Sequence, residues 1–236
     1  MRDIISDLPD PVLLHILSSD SLDTKQVIAT SLLSRRWRSL WLSIPKLHFD
    51  KNYGFHSLES FIQFVDAALL LVDLNFVKTF YLECVGPCIP SIKVNLWITA
   101  LMRIKLEHLT LYVGLDQDQF ELPASIFMWN TIRVIKLSGV IISNLSTVNL
   151  PSLRSLHLVY VTVSESQSLE FLLSNLFYLE ELRLEILNID SHDLDLELDI
   201  GRQDHLVCAD VLNLFPPSLI PIETFYNVTS LRLREV

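Results

Sequence analysis

Glycine is scarce in this sequence, with 5 residues in 236. The Gly-rich phosphate loops are missing with it: there is no P-loop, no G-x-G-x-x-G and no G-x-S-x-G elbow. Cysteine is scarcer still, with Cys84, Cys88 and Cys208 only. An odd count without framework spacing reads as reduced thiols of the cytosol or nucleus. Cys84 and Cys88 form one C-x-x-x-C pair around Gly86 and Pro87, and no second Cys or His pair at zinc-finger spacing completes a metal site. Positive charge is in deficit: 18 Lys and Arg face 28 Asp and Glu, a net charge of -10. That balance argues against non-specific nucleic-acid binding. Long apolar runs are absent too. "AALLLV" falls far short of the roughly 20 residues that cross a bilayer. The N-terminus "MRDIISDLPD" is acidic and interrupted by proline, unlike a secretory signal. No residues assemble into a catalytic group, no metal and no cofactor are expected, and no membrane or nucleic-acid partner is expected.

What the chain has is hydrophobic side chains, half of its residues. From residue 77 onward they are periodic. The phrase apolar-x-x-apolar-x-Leu recurs at "VKTFYL" (77–82), "LEHLTL" (106–111), "IRVIKL" (132–137), "LRSLHL" (153–158), "LEELRL" (179–184) and "VTSLRL" (228–233), with a degenerate copy at "ADVLNL" (209–214). The five gaps between the complete phrases are 29, 26, 21, 26 and 49 residues. A period of about 20–29 with this phrase marks leucine-rich repeats. Each phrase makes a short strand whose leucines are buried only when neighbours stack on it. His108 and His157 then fall at solvent-facing strand positions, and Cys84 at a core or turn position. The acidic stretch Asp190, Asp193, Asp195, Glu197, Asp199, Asp204 reads as a solvated loop between repeats.

Residues 1–50 differ from the rest. They carry six basic and six acidic residues and are neutral. They read as three short helices: "DPVLLHIL" with Asp10 as N-cap, "TKQVIATSLL" capped by Asp23 or Thr24, and "RRWRSLWL" capped by Ser34 and ended by Pro45. Trp37, Leu40 and Trp41 fall at i, i+3, i+4, on one helical face. Basic residues beside aromatics can stack bases, but here the tryptophans lie on the apolar face and the surrounding charge is balanced. A second amphipathic helix is expected over 57–72, with Leu58, Phe61, Ile62, Val65 and Leu69 inward.

The segment "DIISDLPDPVLLHIL…TKQVIATSLLSRRWRSLWLSIPKLHFD" resembles the F-box, the segment by which substrate receptors dock on the Skp-type adaptor of cullin ubiquitin ligases. Leu8-Pro9, the Leu/Ile helix and the "SLLSRRWRSLW" block stand in the order of that motif. "FIQFVDAALLL", "VNLWITALMRIKLEHLTLYV", "FELPASIFMWNTIRVIKLSGV" and "LPSLRSLHLVYVTV" resemble successive pieces of plant F-box/leucine-rich-repeat proteins of the FBD class, to about residue 187. "SDSLD" is longer and more polar than the family's turn before "TK". The resemblance implies an α+β protein: a three-helix F-box over 1–50, then an irregular α/β leucine-rich-repeat solenoid over 51–236, with about 6–7 repeats. Neither a C-terminal cap nor an FBD segment is expected within the chain. It also implies adaptor-facing roles for Leu8, Pro9, Leu13, Ile16, Leu17, Val27, Ser34 and Trp37. Burying one Leu or Ile is worth roughly 1.5–3 kcal/mol, and about fifty residues is near the lower limit of a self-sufficient core. Arginines at the rim would add about 0–1 kcal/mol each.

By resemblance, the function is that of a non-catalytic substrate receptor. It would join a Skp-type adaptor, and through it cullin and the RING subunit, to an unknown protein substrate in the nucleus or cytoplasm. Two alternatives stay open. One is a ligand-sensing F-box receptor, for which the strand phrases offer Lys78, Lys136, Arg154, Arg183 and Arg232. The other is a degenerate product with weak adaptor binding.

Overall fold

The structure, a computed structural model, describes residues 5, 7–19, 21–84, 86, 89–114, 120–189, 201, 203–213 and 222–235. Three short helices open the chain: α1 (Asp10–Leu17), α2 (Thr24–Ala29) and α3 (Trp37–Leu40). Pro9, not Asp10, is the N-cap of α1, and Asp10 places its carboxylate in the first turn. Asp23 caps α2 in a reciprocal box: its Oδ1 accepts from Gln26 N at 2.7 Å, and Gln26 Oε1 accepts from Asp23 N at 3.0 Å. The helix is shorter than the sequence implies. Thr30 Oγ1 donates to Val27 O at 2.6 Å, and the chain tightens into a 3-10 turn over Thr30–Leu32. Ser34 caps nothing; the N-cap of α3 is Arg36, without a side-chain cap bond.

The rest is organised by one parallel sheet. Its strands are β1 (Lys46–Asp50), β2 (Thr79–Cys84), β3 (His108–Val113), β4 (Phe120–Glu121), β5 (Val134–Ser138), β6 (Val140–Ile142), β7 (Ser155–Val163), β8 (Glu181–Ile189), β9 (Cys208–Asn213) and β10 (Ser230–Glu235). The main order is β1-β2-β3-β5-β7-β8-β9-β10; β4 pairs with β6, which pairs with β7. The sheet is open, with β1 and β10 at its edges.

Parallel strands need crossovers, and the crossovers set the uneven repeat lengths. Helix α4 (Leu58–Leu71) links β1 to β2, α5 (Ser91–Leu101) links β2 to β3, and α6 (Ser166–Ser174) links β7 to β8. The 21-residue gap, between the phrases starting at 132 and 153, has no helix in it. As expected, Phe61 and Val65 of α4 are buried, with Leu58, Ile62 and Leu69 packed at the margin of the core. Asp66 ties α4 to α5. It accepts from Lys93 Nζ at 2.6 Å and Trp97 Nε1 at 2.8 Å. Burial pushes its carboxyl up, but these hydrogen bonds outweigh that and hold it below its ordinary value.

The first five phrases behave as their spacing implies, with the strand starting two residues late; in the sixth, Leu231 and Leu233 stay exposed. The first apolar residue (Val77, Leu106, Ile132, Leu153, Leu179) is buried just ahead of the strand. The fourth and sixth fill the core, as Phe80 and Leu82 do in β2 and Leu109 and Leu111 in β3. Between phrases runs a repeated backbone ladder. The carbonyl of Lys78 accepts from both Glu107 N (2.9 Å) and His108 N (3.0 Å), and the carbonyls of Glu107, Arg133, Arg154, Glu180 and Val207 do the same one repeat on. Two expectations need correction. "ADVLNL" is out of register: the buried residues of β9 are Ala209 and Val211, preceded by Leu206, so the true phrase is "LVCADV" (206–211). And "IPKLHF" is itself a phrase, with Ile44, Leu47 and Phe49 buried, making β1 the first strand of the sheet.

Candidate functional site

The eight residues assigned to adaptor contact divide into two sets. Leu13, Leu17, Val27 and Trp37 are buried in the protein's own core, together with Trp41 and Ile44. They hold the helices together and offer no side-chain surface. Pro9, Ile16 and Ser34 are exposed, and Leu8 is half-buried. Four exposed apolar residues join them: Ile5, Val12, Leu32 (86% exposed) and Leu33 (67% exposed). Val12 and Ile16 are one turn apart on α1. Arg36, which follows the Leu32–Leu33 turn in the chain, donates to Leu8 O at 2.5 Å and to the Asp10 carboxylate at the start of α1. The signal for the two leucines is in the sequence. Thr24 and Val27 define the buried face of α2, and Leu32 and Leu33 fall off that face. With Trp37 and Trp41 buried, "RRWR" presents no aromatic platform for bases.

The second surface is the outward face of the sheet. One register row across it reads His48, Tyr81, Thr110, Lys136, His157, Arg183, Asp210, Arg232. At the β1 side it is aromatic. His48 and Tyr81 meet edge-on at 4.3 Å between centroids, and Tyr81 and Tyr112 at 5.7 Å. Burial pushes both tyrosine hydroxyls up, and the Tyr81 hydroxyl donates to Glu83. Burial likewise lowers His48 and His157, so both are neutral at physiological pH. His157 Nε2 lies 3.2 Å from Glu181 Oε1, but it is buried and not aligned for a hydrogen bond. Glu181 is held below its ordinary value, chiefly by the bond it accepts from Ser155 Oγ at 2.7 Å. His108 is exposed, as its strand position implies, whereas His157 is half-buried and Cys84 is buried in the core.

Of the basic residues offered for a ligand, most are committed elsewhere. Lys78 pairs with Glu107 at 3.1 Å, Arg154 with Glu180 at 3.6 Å, and Arg183 with Glu185 at 3.2 Å. Lys78, Glu107, Arg133, Arg154 and Glu180 occupy the residue just before each strand and form a ladder of charge beside the backbone ladder. Lys136 makes no ion pair or hydrogen bond among the described residues. Among the described residues no group of three His, Cys, Asp or Glu is arranged to hold a metal, and no helix is long and apolar enough to cross a membrane. Cys88 and the acidic cluster from Asp190 to Asp199 lie outside the described residues.

Comparison with known proteins matches these two regions separately. Residues 5–47 match the family described as F-box-like, and residues 73–188 match the family described as At1g61320/AtMIF1, LRR domain. The chain belongs to the plant F-box/leucine-rich-repeat proteins. It is 37% identical over 201 residues to the F-box/FBD/LRR-repeat protein At4g26340 of Arabidopsis thaliana, an alignment covering 84% of this chain and 46% of that protein. It is 36% identical over 191 residues to the putative FBD-associated F-box protein At3g50710 of the same plant, covering 78% and 44%. With F-box/LRR-repeat protein 13, also of Arabidopsis thaliana, it shares 31% over 233 residues, covering 92% and 50%. The chain thus spans about half the length of the curated relatives it matches. No solved structure matches it.

Proposed function

We propose that this chain is the substrate-receptor part of a Skp-cullin-F-box ubiquitin ligase. Residues 1–50 dock the adaptor, which brings cullin and the RING subunit. Strand β1 and residues 51–236 together form an irregular solenoid that holds a protein substrate on its open sheet face. The role is non-catalytic and needs no cofactor: tethering raises the substrate's effective concentration at the ligase. Nucleus and cytoplasm are the compartments that suit its free thiols.

One observation carries this reading. The F-box-like region has a closed core yet leaves Leu32 and Leu33 in solvent, as it does Val12 and Ile16 of α1. Exposed apolar anchors beside a satisfied core are what a protein-binding surface needs. The adaptor contact therefore consists of Ile5, Leu8, Pro9, Val12, Ile16, Leu32, Leu33 and Ser34. Leu13, Leu17, Val27 and Trp37 support it from beneath.

The test is titration of the purified chain with a plant Skp-type adaptor. Leu32→Asp/Leu33→Asp is expected to weaken binding at least about a hundredfold with unchanged melting, since two desolvated anchors are lost. Trp37→Ala is expected to lower the melting temperature as well. A well-folded wild-type chain that does not bind removes the ligase role.

A further inference from the structure

Tyr160 holds a backbone conformation that tyrosine rarely takes. Its φ is +53°, in the left-handed region that favours glycine. It is the extra residue of a bulge in β7. Val159 pairs with Glu185 of β8 and Val161 with Ile186, which leaves Tyr160 unpaired between them. The bulge returns Val161 to the core, fully buried, and leaves Tyr160 40% exposed.

The two neighbouring strands make the same turn with glycine. Gly114 follows β3 at φ +57°, and Gly139 follows β5 at φ +73°. Gly139 N donates to Tyr160 O at 3.1 Å, so the tyrosine belongs to the same corner of the sheet. At Gly139 no side chain fits, because a Cβ would meet the backbone of Val113 and Gly114. At Tyr160 a side chain fits, but the backbone carries strain that glycine would avoid. No polar or ring partner within the chain offsets that strain. Among the described residues the Tyr160 side chain makes no hydrogen bond, ion pair or ring contact. Of the six tyrosines, four have such a partner: Tyr81 has Glu83, His48 and Tyr112, Tyr112 has Tyr81, Tyr178 has His205 and Arg154, and Tyr226 has Asp204. The fifth, Tyr53, lies in the turn after β1 without a left-handed backbone. Only Tyr160 combines strain, exposure and an unused hydroxyl.

We infer that Tyr160 is a contact residue for the protein partner on the open sheet face, its ring packing on an apolar side chain of the partner and its hydroxyl donating to a main-chain carbonyl. The inference rests on the reading of that face as the substrate side. Strained residues persist where binding needs the side chain. Tyrosine is enriched among the residues that dominate interfaces, since one ring offers apolar area and a hydrogen bond with few torsions to fix. The charged pair beside the bulge on β8, Arg183 and Glu185, is closed on itself at 3.2 Å, so the contact is neutral. Val159, next to Tyr160, shares its register row with Ser138 and Tyr112. A partner segment crossing the strands there meets Tyr112 about two strands, or about 10 Å, from Tyr160.

The experiment uses the full 236-residue chain and a phage-displayed library of random dodecapeptides. Peptides that bind the wild type and the Leu32→Asp/Leu33→Asp variant alike are titrated on Tyr160→Gly, Tyr160→Phe and Tyr53→Gly. Affinity is expected to fall at least about thirtyfold on Tyr160→Gly, to stay within about tenfold on Tyr160→Phe and to be unchanged on Tyr53→Gly. The melting temperature of Tyr160→Gly is expected within about 3 °C of wild type or above it, because relieved strain offsets the lost ring. Affinity unchanged by Tyr160→Gly, equal losses in Tyr160→Gly and Tyr53→Gly, a melting temperature lower by more than about 3 °C, or a library that yields no binder each overturns the inference. Adaptor titration is expected to be the same for all three variants. Adaptor binding with Tyr160-independent peptides overturns the inference and leaves the ligase role; Tyr160-dependent peptides without adaptor binding do the reverse.

Discussion

At one edge of the sheet Leu47 and Phe49 are 0% and 1% exposed; at the other edge Leu231 and Leu233, in the same two register rows, are 41% and 48% exposed. The residue types and spacing are alike, so the phrase alone does not decide burial. What differs is the layer beyond. β1 runs against the F-box-like helices: Thr24 Oγ1 of α2 accepts from His48 N at 2.7 Å, satisfying an edge N–H that no strand reaches. Leu13, Leu17 and Val27 belong to the same continuous core as Leu47 and Phe49. The F-box-like region thus has two jobs on two sides. Its inner side closes the first layer of the sheet, and its outer side carries Leu32 and Leu33.

The largest loss is expected in the middle of the sheet. Gly139 joins β5 to β6 at φ +73°, and a Cβ there would lie 1.6 Å from Gly114 O and 1.7 Å from Val113 O. Backbone cannot yield as a side-chain tip would, so Gly139→Ala is expected to cost at least about 4 kcal/mol and to unfold both edges together. Urea titration read by tryptophan fluorescence and far-ultraviolet circular dichroism measures both. The two edges are expected to respond unequally to the same substitution. Leu47→Ala is expected to cost about 2–5 kcal/mol, and Leu231→Ala less than about 1 kcal/mol, because the second leucine leaves a partly exposed site. Equal losses in urea melts would mean that β10 is as well covered as β1.

Thr24→Val keeps the shape of the buried residue and removes the acceptor for His48 N. The expected cost is about 1–3 kcal/mol, that of a stranded edge N–H, seen as faster amide exchange at His48. The smallest effect is that of pH. Burial lowers the His48 and His157 imidazoles, each with a neighbouring lysine adding to it. Below the ordinary imidazole value the unfolded chain takes up protons that the folded chain refuses. Stability therefore rises with pH through that window and is lost as pH falls from about 7 through the ordinary value to the lower folded one. His48→Gln is expected to flatten that slope in urea melts at pH 7 and 5.5.

Much of the fold was legible in the sequence, because the phrase states a burial pattern directly. Phe80, Leu82, Leu109 and Leu111 are core because they alternate, and Ser57 starts α4 where the periodicity begins. β1 was missed because its phrase ends in Phe49 instead of leucine, and β9 was misregistered because the small Ala209 hides a core position. The proposed adaptor surface was legible in part. A family motif marks positions that matter but not their reason. Leu13 and Trp37 pack inward, and helical periodicity, not the motif, separates them from Leu32 and Leu33.

Hydrogen–deuterium exchange of the chain with and without an excess of Skp-type adaptor tests most directly whether the outer side of the F-box-like region is the docking face. Protection is expected in peptides covering residues 5–16 and 30–36, with residues 46–50 and the outward face of β2 to β7 unchanged. Protection confined to the sheet face, or none at adaptor concentrations well above micromolar, would contradict it.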